Sequence, residues 1–269
     1  MFESLFDLPL LVAGPAIIIR LSLFVARGMK TSWPARVLVF LVLPLTAAGM
    51  TQAQTSDSAK EFWPTVKATI ELRPKTRVQL YTGKQNGEDL ARTQWTYGVM
   101  GSYRMKRLVQ VGFDDIDDEK NHILTLGAGF EYLRTNDDDS VKTERRIVVQ
   151  GTPTYLIPGT GLHLQDRNRI EFRWVNGAYS TRYRNKLTVQ RSLKLHRFSF
   201  TPYSMGELFH DGKSRSWNEN QYGFGVIFPY KKLLSLDSYF VHQNCTTCKE
   251  PHVNALGLTL NIFVKLKKK

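Results

Sequence analysis

Gln165-Asp166-Arg167-Asn168-Arg169-Ile170-Glu171-Phe172-Arg173-Trp174 is followed, across Asn176-Gly177, by Thr181-Arg182-Tyr183-Arg184-Asn185-Lys186-Leu187-Thr188-Val189. Read with period two, Arg167, Arg169, Glu171 and Arg173 share one face, and Ile170, Phe172 and Trp174 share the other. The second run repeats the pattern, with Arg182, Arg184 and Lys186 against Tyr183, Leu187 and Val189. Alternation over this length predicts β-strands, and Asn-Gly between two such runs predicts a tight hairpin. The charge is the unusual part. A sheet with one solvated face has no need of so many arginines in one hairpin. A transmembrane barrel also alternates, apolar towards lipid and polar towards the lumen, and there Arg and Glu can pair across strands. The competing reading is an exposed, solvated sheet face.

The rest of the chain divides into about twelve strands, each near the roughly ten residues a tilted membrane strand needs. Their expected spans are 64–73, 75–83, 92–105, 107–115, 121–134, 143–156, the two hairpin strands, 197–210, 218–229, 232–243 and 253–265. The fourth is the least clear of them. Elsewhere the alternation is regular. Leu256, Leu258, Leu260 and Ile262 oppose Gly257, Thr259 and Asn261, and Tyr222, Phe224, Val226 and Phe228 oppose Gln221, Gly223 and Gly225. Glycines recur on the polar face at 98, 127, 129, 223, 225 and 257, and leave room for long arginines from facing strands. Trp63, Trp95, Trp174, Tyr155 and Tyr230 stand near strand ends, where aromatic girdles form at a membrane interface. With the C-terminus in the periplasm, the outer connections become 244–252, 211–217 and 135–142, which makes Asp211 a loop acid. The inner ones become 229–231, 194–196 and 157–162.

Residues 29–53 read as a signal peptide. Lys30 and Arg36 form its basic region, 37–45 its apolar region, and Thr51-Gln52-Ala53 precede a cut at Gln54. Residues 1–28 read as an upstream extension outside the fold, leaving 54–269 as the barrel domain. That domain carries 33 Lys plus Arg against 22 Asp plus Glu, a net charge of +11. Basicity of this size points to nucleic acid or to an acidic surface. Export argues against nucleic acid, so lipid headgroups or a basic lumen fit better. No later segment approaches the roughly eighteen apolar residues of a membrane helix, so a membrane-spanning form has to be a closed barrel.

The run from Asp166 to Arg173, the run from Thr181 to Asn185, Thr201-Pro202-Tyr203 with Glu207, and Asn254-Ala255-Leu256-Gly257-Leu258-Thr259-Leu260 together resemble the domain of unknown function 2490 family. The resemblance implies a bacterial (Gram-negative), outer-membrane-type β-barrel, porin-like in build and uncharacterised in activity. It implies outer-membrane lipid and the barrel-assembly machinery as partners. Barrel strands read by that machinery typically end on an aromatic. Here Phe263 is followed by Val264-Lys265-Leu266-Lys267-Lys268-Lys269, a basic tail that departs from the pattern.

Chemistry is sparse. Cys245 and Cys248, flanked by His242 and His252, have zinc-ligand types, but an exported chain with two cysteines favours a disulfide over a metal site or free thiols. No cofactor or metal is expected. The serines and His163, His196 and His210 form no recognisable triad. The acidic clusters at 114–119 and 137–139 lack the spacing of a calcium loop. No phosphate-cradling glycine motif occurs. The expectation is therefore a non-enzymatic outer-membrane barrel, with a lumen lined by Arg167, Arg169, Glu171, Arg173, Arg182, Arg184, Lys186, Glu131, Glu207 and Asp237. Glu131 and Glu207 are the expected bracing acids. If the acids neutralise the arginines the lumen is plugged, and if water passes it favours small anions. A lipid-modifying enzyme and a soluble periplasmic barrel with an apolar ligand are the alternatives.

Overall fold

The computed structural model describes residues 58–87, 92–105, 122–137, 140–195, 198–231 and 233–265. The chain divides into two units, Met1–Gln52 and Ala53–Lys269, and every described residue belongs to the second. The expected leader, the 107–115 strand and the 114–119 acidic cluster lie outside the described residues.

Among the described residues the fold is all β, with twelve strands: β1 (Ala59–Arg73), β2 (Thr76–Gly87), β3 (Thr93–Arg104), β4 (Leu124–Asp137), β5 (Ser140–Ile157), β6 (Leu162–Val175), β7 (Ala178–Arg191), β8 (Leu193–Leu195), β9 (Phe198–Asp211), β10 (Ser216–Tyr230), β11 (Leu234–Cys245) and β12 (His252–Lys265). Eleven of them close a barrel. Neighbours pair antiparallel around the ring, β7 passes to β9, and β1 closes on β12 in parallel from Ala59↔Val253 to Glu71↔Lys265. The short β8 pairs only with Phe198–Phe200 of β9 and stands outside the ring.

The wall thus holds eleven strands rather than about twelve. β3 and β4 pair directly from Thr93↔Asn136 to Arg104↔Thr125, which leaves no place in the wall for a strand between them. An odd count forces the parallel closure and puts the two ends of the wall at opposite rims. The upper rim carries the start of β1, the β6–β7 turn and residues 246–251. The lower rim carries the β1–β2 turn, the end of β3, the start of β4 and the end of β12.

The opening hairpin forms as its turn chemistry demands. Asn176 (φ 48°) and Gly177 (φ 88°) both take positive φ, the conformation that matches the twist of two paired strands and that Asn-Gly tolerates. β6 and β7 then pair from Leu162↔Arg191 to Val175↔Ala178. The alternation sorts side chains inside out. Phe62, Val66, Leu80, Val99, Phe130, Ile147, Ile170, Leu187, Leu208, Leu256 and Leu258 are exposed on the outer face. Glu131, Glu144, Arg146, Glu171, Arg173 and Glu207 are buried within.

Trp95 and Trp174 stand outward near the upper rim, and Tyr155 and Tyr230 outward near the lower one. Trp63 does not join them: it points inward and packs with Val241, Val253 and Ala255. The outer face carries a polar cluster near mid-height on β6 and β7. Asn185 Nδ2 donates to Asp166 Oδ1 at 2.6 Å, Asn168 Nδ2 to Asp166 Oδ2 at 3.1 Å, and Tyr183 OH to Asn168 Oδ1 at 2.5 Å. These groups satisfy one another, which is what polar groups on an apolar face require.

Candidate functional site

The lumen is built from three kinds of side chain. The first is a layer of ion pairs on β4 to β9. Adjacent strands set like charges opposite each other, Arg169↔Arg184 across β6–β7 and Arg146↔Arg173 across β5–β6. Like pairs in that position repel, so carboxylates have to reach between them, and they do. Glu171, fully buried, has Oε1 3.0 Å from Arg184 Nη1 and 3.7 Å from Arg169 Nη1, and Oε2 3.8 Å from Arg146 Nη1. Glu131 accepts from Arg169 at 3.1 Å and from Arg146 at 3.4 Å. Glu207 Oε1 accepts from Arg167 at 2.8 Å and from Arg184 at 2.9 Å. Glu144 accepts from Arg146 Nε at 2.6 Å and also holds the Arg173 guanidinium. Arg182 lies 3.8 Å from Glu219, and Arg184 lies over the Phe209 ring at 4.5 Å.

Glu131 and Glu207 thus each hold two arginines, and Arg146 and Glu144 complete the network. Neither of these two was singled out in the sequence. Arg145 beside Arg146 puts charge on both faces of β5, and that blurs the period-two signal. Asp211 is not a free loop acid. It ends β9, lies 3.7 Å from Arg173, and accepts the backbone N–H groups of Lys213 and Ser214.

The second kind is a set of tyrosines laid over glycines. A Cβ on Gly98 would come 2.1 Å from the Tyr81 ring, one on Gly225 2.6 Å from that of Tyr203, and one on Gly257 2.0 Å from that of Tyr239. The room left by these three glycines is taken by tyrosine rings from neighbouring strands, not by arginines from facing ones. Two of the phenols then cap acids: Tyr81 OH donates to Glu131 Oε1 at 2.5 Å and Tyr203 OH to Asp237 Oδ1 at 3.0 Å. The third kind is the apolar cluster of Trp63, Val241, Val253 and Ala255, with Met205 packed against it, which fills the upper lumen beside the ion pairs.

Below these layers lies a cavity of about 470 Å³, whose lining includes Lys67, Arg167, Lys186 and Asp237. At the upper rim Cys245 and Cys248 form a disulfide with Cα atoms 5.5 Å apart. Their sulfurs and a Glu219 carboxylate oxygen fall within 4.8 Å of one another, but sulfurs bonded to each other are not thiolate ligands. His242 and His252 turn instead to Asn244, whose Oδ1 lies 2.9 and 2.8 Å from their ring nitrogens. Asp137 pairs with Lys249 at 3.4 Å. His210 stacks edge-on against Trp217, and His196 lies outside the described residues.

Residues 60–251 match the family described as protein of unknown function DUF2490. The chain belongs to the DUF2490 family. No curated protein matches it. The DUF2490 segment spans the wall from β1 to β11 and contains every member of the ion-pair layer. β12, which closes the barrel on β1, follows it.

Proposed function

We propose that this DUF2490 protein is a non-enzymatic outer-membrane β-barrel whose lumen is closed by its own ion pairs. The observation that supports this is the inside-out sorting of side chains. Phe130, Ile147, Leu208 and Leu256 are 44–55 % exposed, whereas Glu171 and Glu207 are 0–2 % exposed. In water such a surface would be a continuous apolar liability, and in a bilayer it is the lipid face. A soluble carrier of apolar ligands would carry the reverse distribution, so the periplasmic alternative has little support.

The signal read at 29–53 fits export, and the barrel-assembly machinery and outer-membrane lipid are the partners this placement requires. With the β12 end in the periplasm, the cavity faces the periplasm and the disulfide loop faces outward. Barrels of about eight strands are filled by side chains and those of sixteen or more hold water channels. Eleven strands lie near the narrow end of that range, and the ion-pair layer and the apolar cluster occupy the upper half. The non-enzymatic reading rests on commitment: Glu131, Glu144, Glu171, Glu207 and Asp237 all hold an arginine or a tyrosine hydroxyl, so none stands ready as a base.

Membrane fractionation followed by planar-bilayer recording tests the proposal. The protein should pellet with outer membranes, resist carbonate extraction and insert without conductance steps. Recovery in a detergent-free periplasmic extract would overturn the membrane placement. Steady single-channel conductance would overturn the closed lumen.

A further inference from the structure

The charges in the lower cavity do not balance. Four cations line it, Lys67, Arg167, Arg169 and Lys186, against two carboxylates, Glu131 and Asp237. Glu131 is paired with Arg169 and capped by Tyr81, whereas Asp237 accepts from the neutral Tyr203 hydroxyl and keeps its charge, which Lys67 and Lys186 face. Arg169 is committed as well, since Gln150 takes its Nε at 3.1 Å and its Nη2 at 2.9 Å. Arg167 gives only Nη2 to Glu207, and its buried Nε has no hydrogen-bond partner. Among the described residues Lys67 and Lys186 make no ion pair. Lys186 sits directly opposite Glu207 in the β7–β9 register, yet Arg167 and Arg184 hold the one oxygen of that carboxylate that is engaged. Lys67 and Lys186 therefore share the single charge of Asp237, and Arg167 keeps an unpartnered Nε beyond its pair with Glu207, so positive charge remains in excess in this cavity. Uncompensated charge in such a place is costly unless something binds there.

The rest of the lining says what kind of anion. The volume, about 470 Å³, lies in the range of small-molecule sites. The Tyr203 and Tyr239 rings, Met100, Ile227 and Phe263 give the wall apolar surface beside the lysines, which inorganic ions would leave unused. We propose that this cavity binds a small organic anion, its carboxylate or phosphate held by Lys67, Lys186 and Arg167 and its apolar body set against the tyrosines. The ligand enters from the lower rim, because the ion-pair layer and the Trp63 cluster fill the upper lumen. The site rests on the closed-lumen reading, since in an open pore the same cations would act as a selectivity ring.

Calorimetric titration of the detergent-solubilised, full-length barrel at low salt tests it, with benzoate and phenyl phosphate as probes and benzamide as the neutral isostere. At least one of the anions should bind saturably at one site per chain, and benzamide should not. Lys186→Met and Lys67→Met should each weaken binding tenfold or more, while Lys249→Met, at the far rim, should leave it unchanged. Absence of saturable binding by both anions, or equal binding of benzamide, overturns the site, as does wild-type affinity in both lysine variants. If a lysine variant fails to fold, the anion-versus-amide comparison on the wild-type protein decides alone. Bilayer conductance is read separately: a conducting barrel that still binds one anion fails the closed lumen and keeps the pocket, and a silent barrel with no binding does the reverse.

Discussion

Arg146 touches Glu131, Glu144 and Glu171, and Arg184 touches Glu171 and Glu207. Each carboxylate therefore separates two or more arginines that the strand register would otherwise set against one another. Removing one leaves buried cations uncompensated, at a cost of about 3–5 kcal/mol, whereas an exposed pair contributes about 0–1 kcal/mol. Glu207→Gln should thus lower the melting temperature in detergent well below that of Asp137→Asn, whose partner Lys249 is 69 % exposed. Equal melting of the two variants would mean that the lumen is wet enough to screen the arginines. The tyrosine–glycine pairs allow a second residue-scale test. A methyl group on Gly257 would overlap the Tyr239 ring, so Gly257→Ala should destabilise by about 1–3 kcal/mol, as overpacking does. Tyr239→Ala should remove most of that penalty in the double variant. Additive losses in this cycle would show that the ring does not lie over the glycine. The arginines of β6 and β7 were legible because they recur at every second residue, whereas Arg146 on β5 was hidden by its charged neighbour Arg145. The tyrosine–glycine pairs were not legible, since nothing in one strand says which neighbour's glycine a ring will cover.

Strand β12 presents Leu256, Leu258 and Leu260 outward, while Thr259, Asn261 and Phe263 face the cavity. Its register is fixed on both sides, Leu258↔Ser238 with β11 and Leu258↔Pro64 with β1. An arginine on the lipid face near the bilayer midplane costs about 2–4 kcal/mol, while one directed into the cavity keeps its hydration. Leu258→Arg should therefore reduce the heat-modifiable, assembled fraction on gels far more than Asn261→Arg. A reversed order would mean that the strand is turned by one residue, because a slip of one exchanges the two faces. Strands with this clean alternation were legible nearly to their ends. The expected 253–265 became His252–Lys265, and 218–229 became Ser216–Tyr230. The stretch expected as a strand over 107–115 was different. Val109, Val111 and Phe113 share one face there, but the run is short and Asp114, Asp115, Asp117 and Asp118 crowd its end. A period of two over so few residues marks an extended stretch, not its membership of the wall, and β3 pairs directly with β4.

At the scale of the molecule, that one strand changes the topology. With an even count, a barrel closes antiparallel and both ends of the wall meet at one rim. With eleven strands, β1 and β12 run parallel over Ala59↔Val253 to Glu71↔Lys265, so Ser58 and Lys265 stand at opposite rims. The fold class and the polar lumen could be read from alternation, which is a property of each strand alone. Closure could not, because it depends on which strands are neighbours and on how many there are, and no local pattern carries either. The consequence is open to direct measurement. In the membrane placement proposed above, an epitope placed before Ser58 and another placed after the chain's last residue should face opposite sides. On intact cells only one of the two should be labelled by antibody, and the second should become accessible after the outer membrane is permeabilised. The periplasmic placement of the β12 end assigns surface labelling to the epitope before Ser58. Labelling of both epitopes on intact cells, or of neither, would place the two ends on one side. That outcome requires an even wall and removes the parallel β1–β12 seam, and with it the register that sets Thr65, Lys67 and Thr69 beside Thr259 and Asn261 along the cavity.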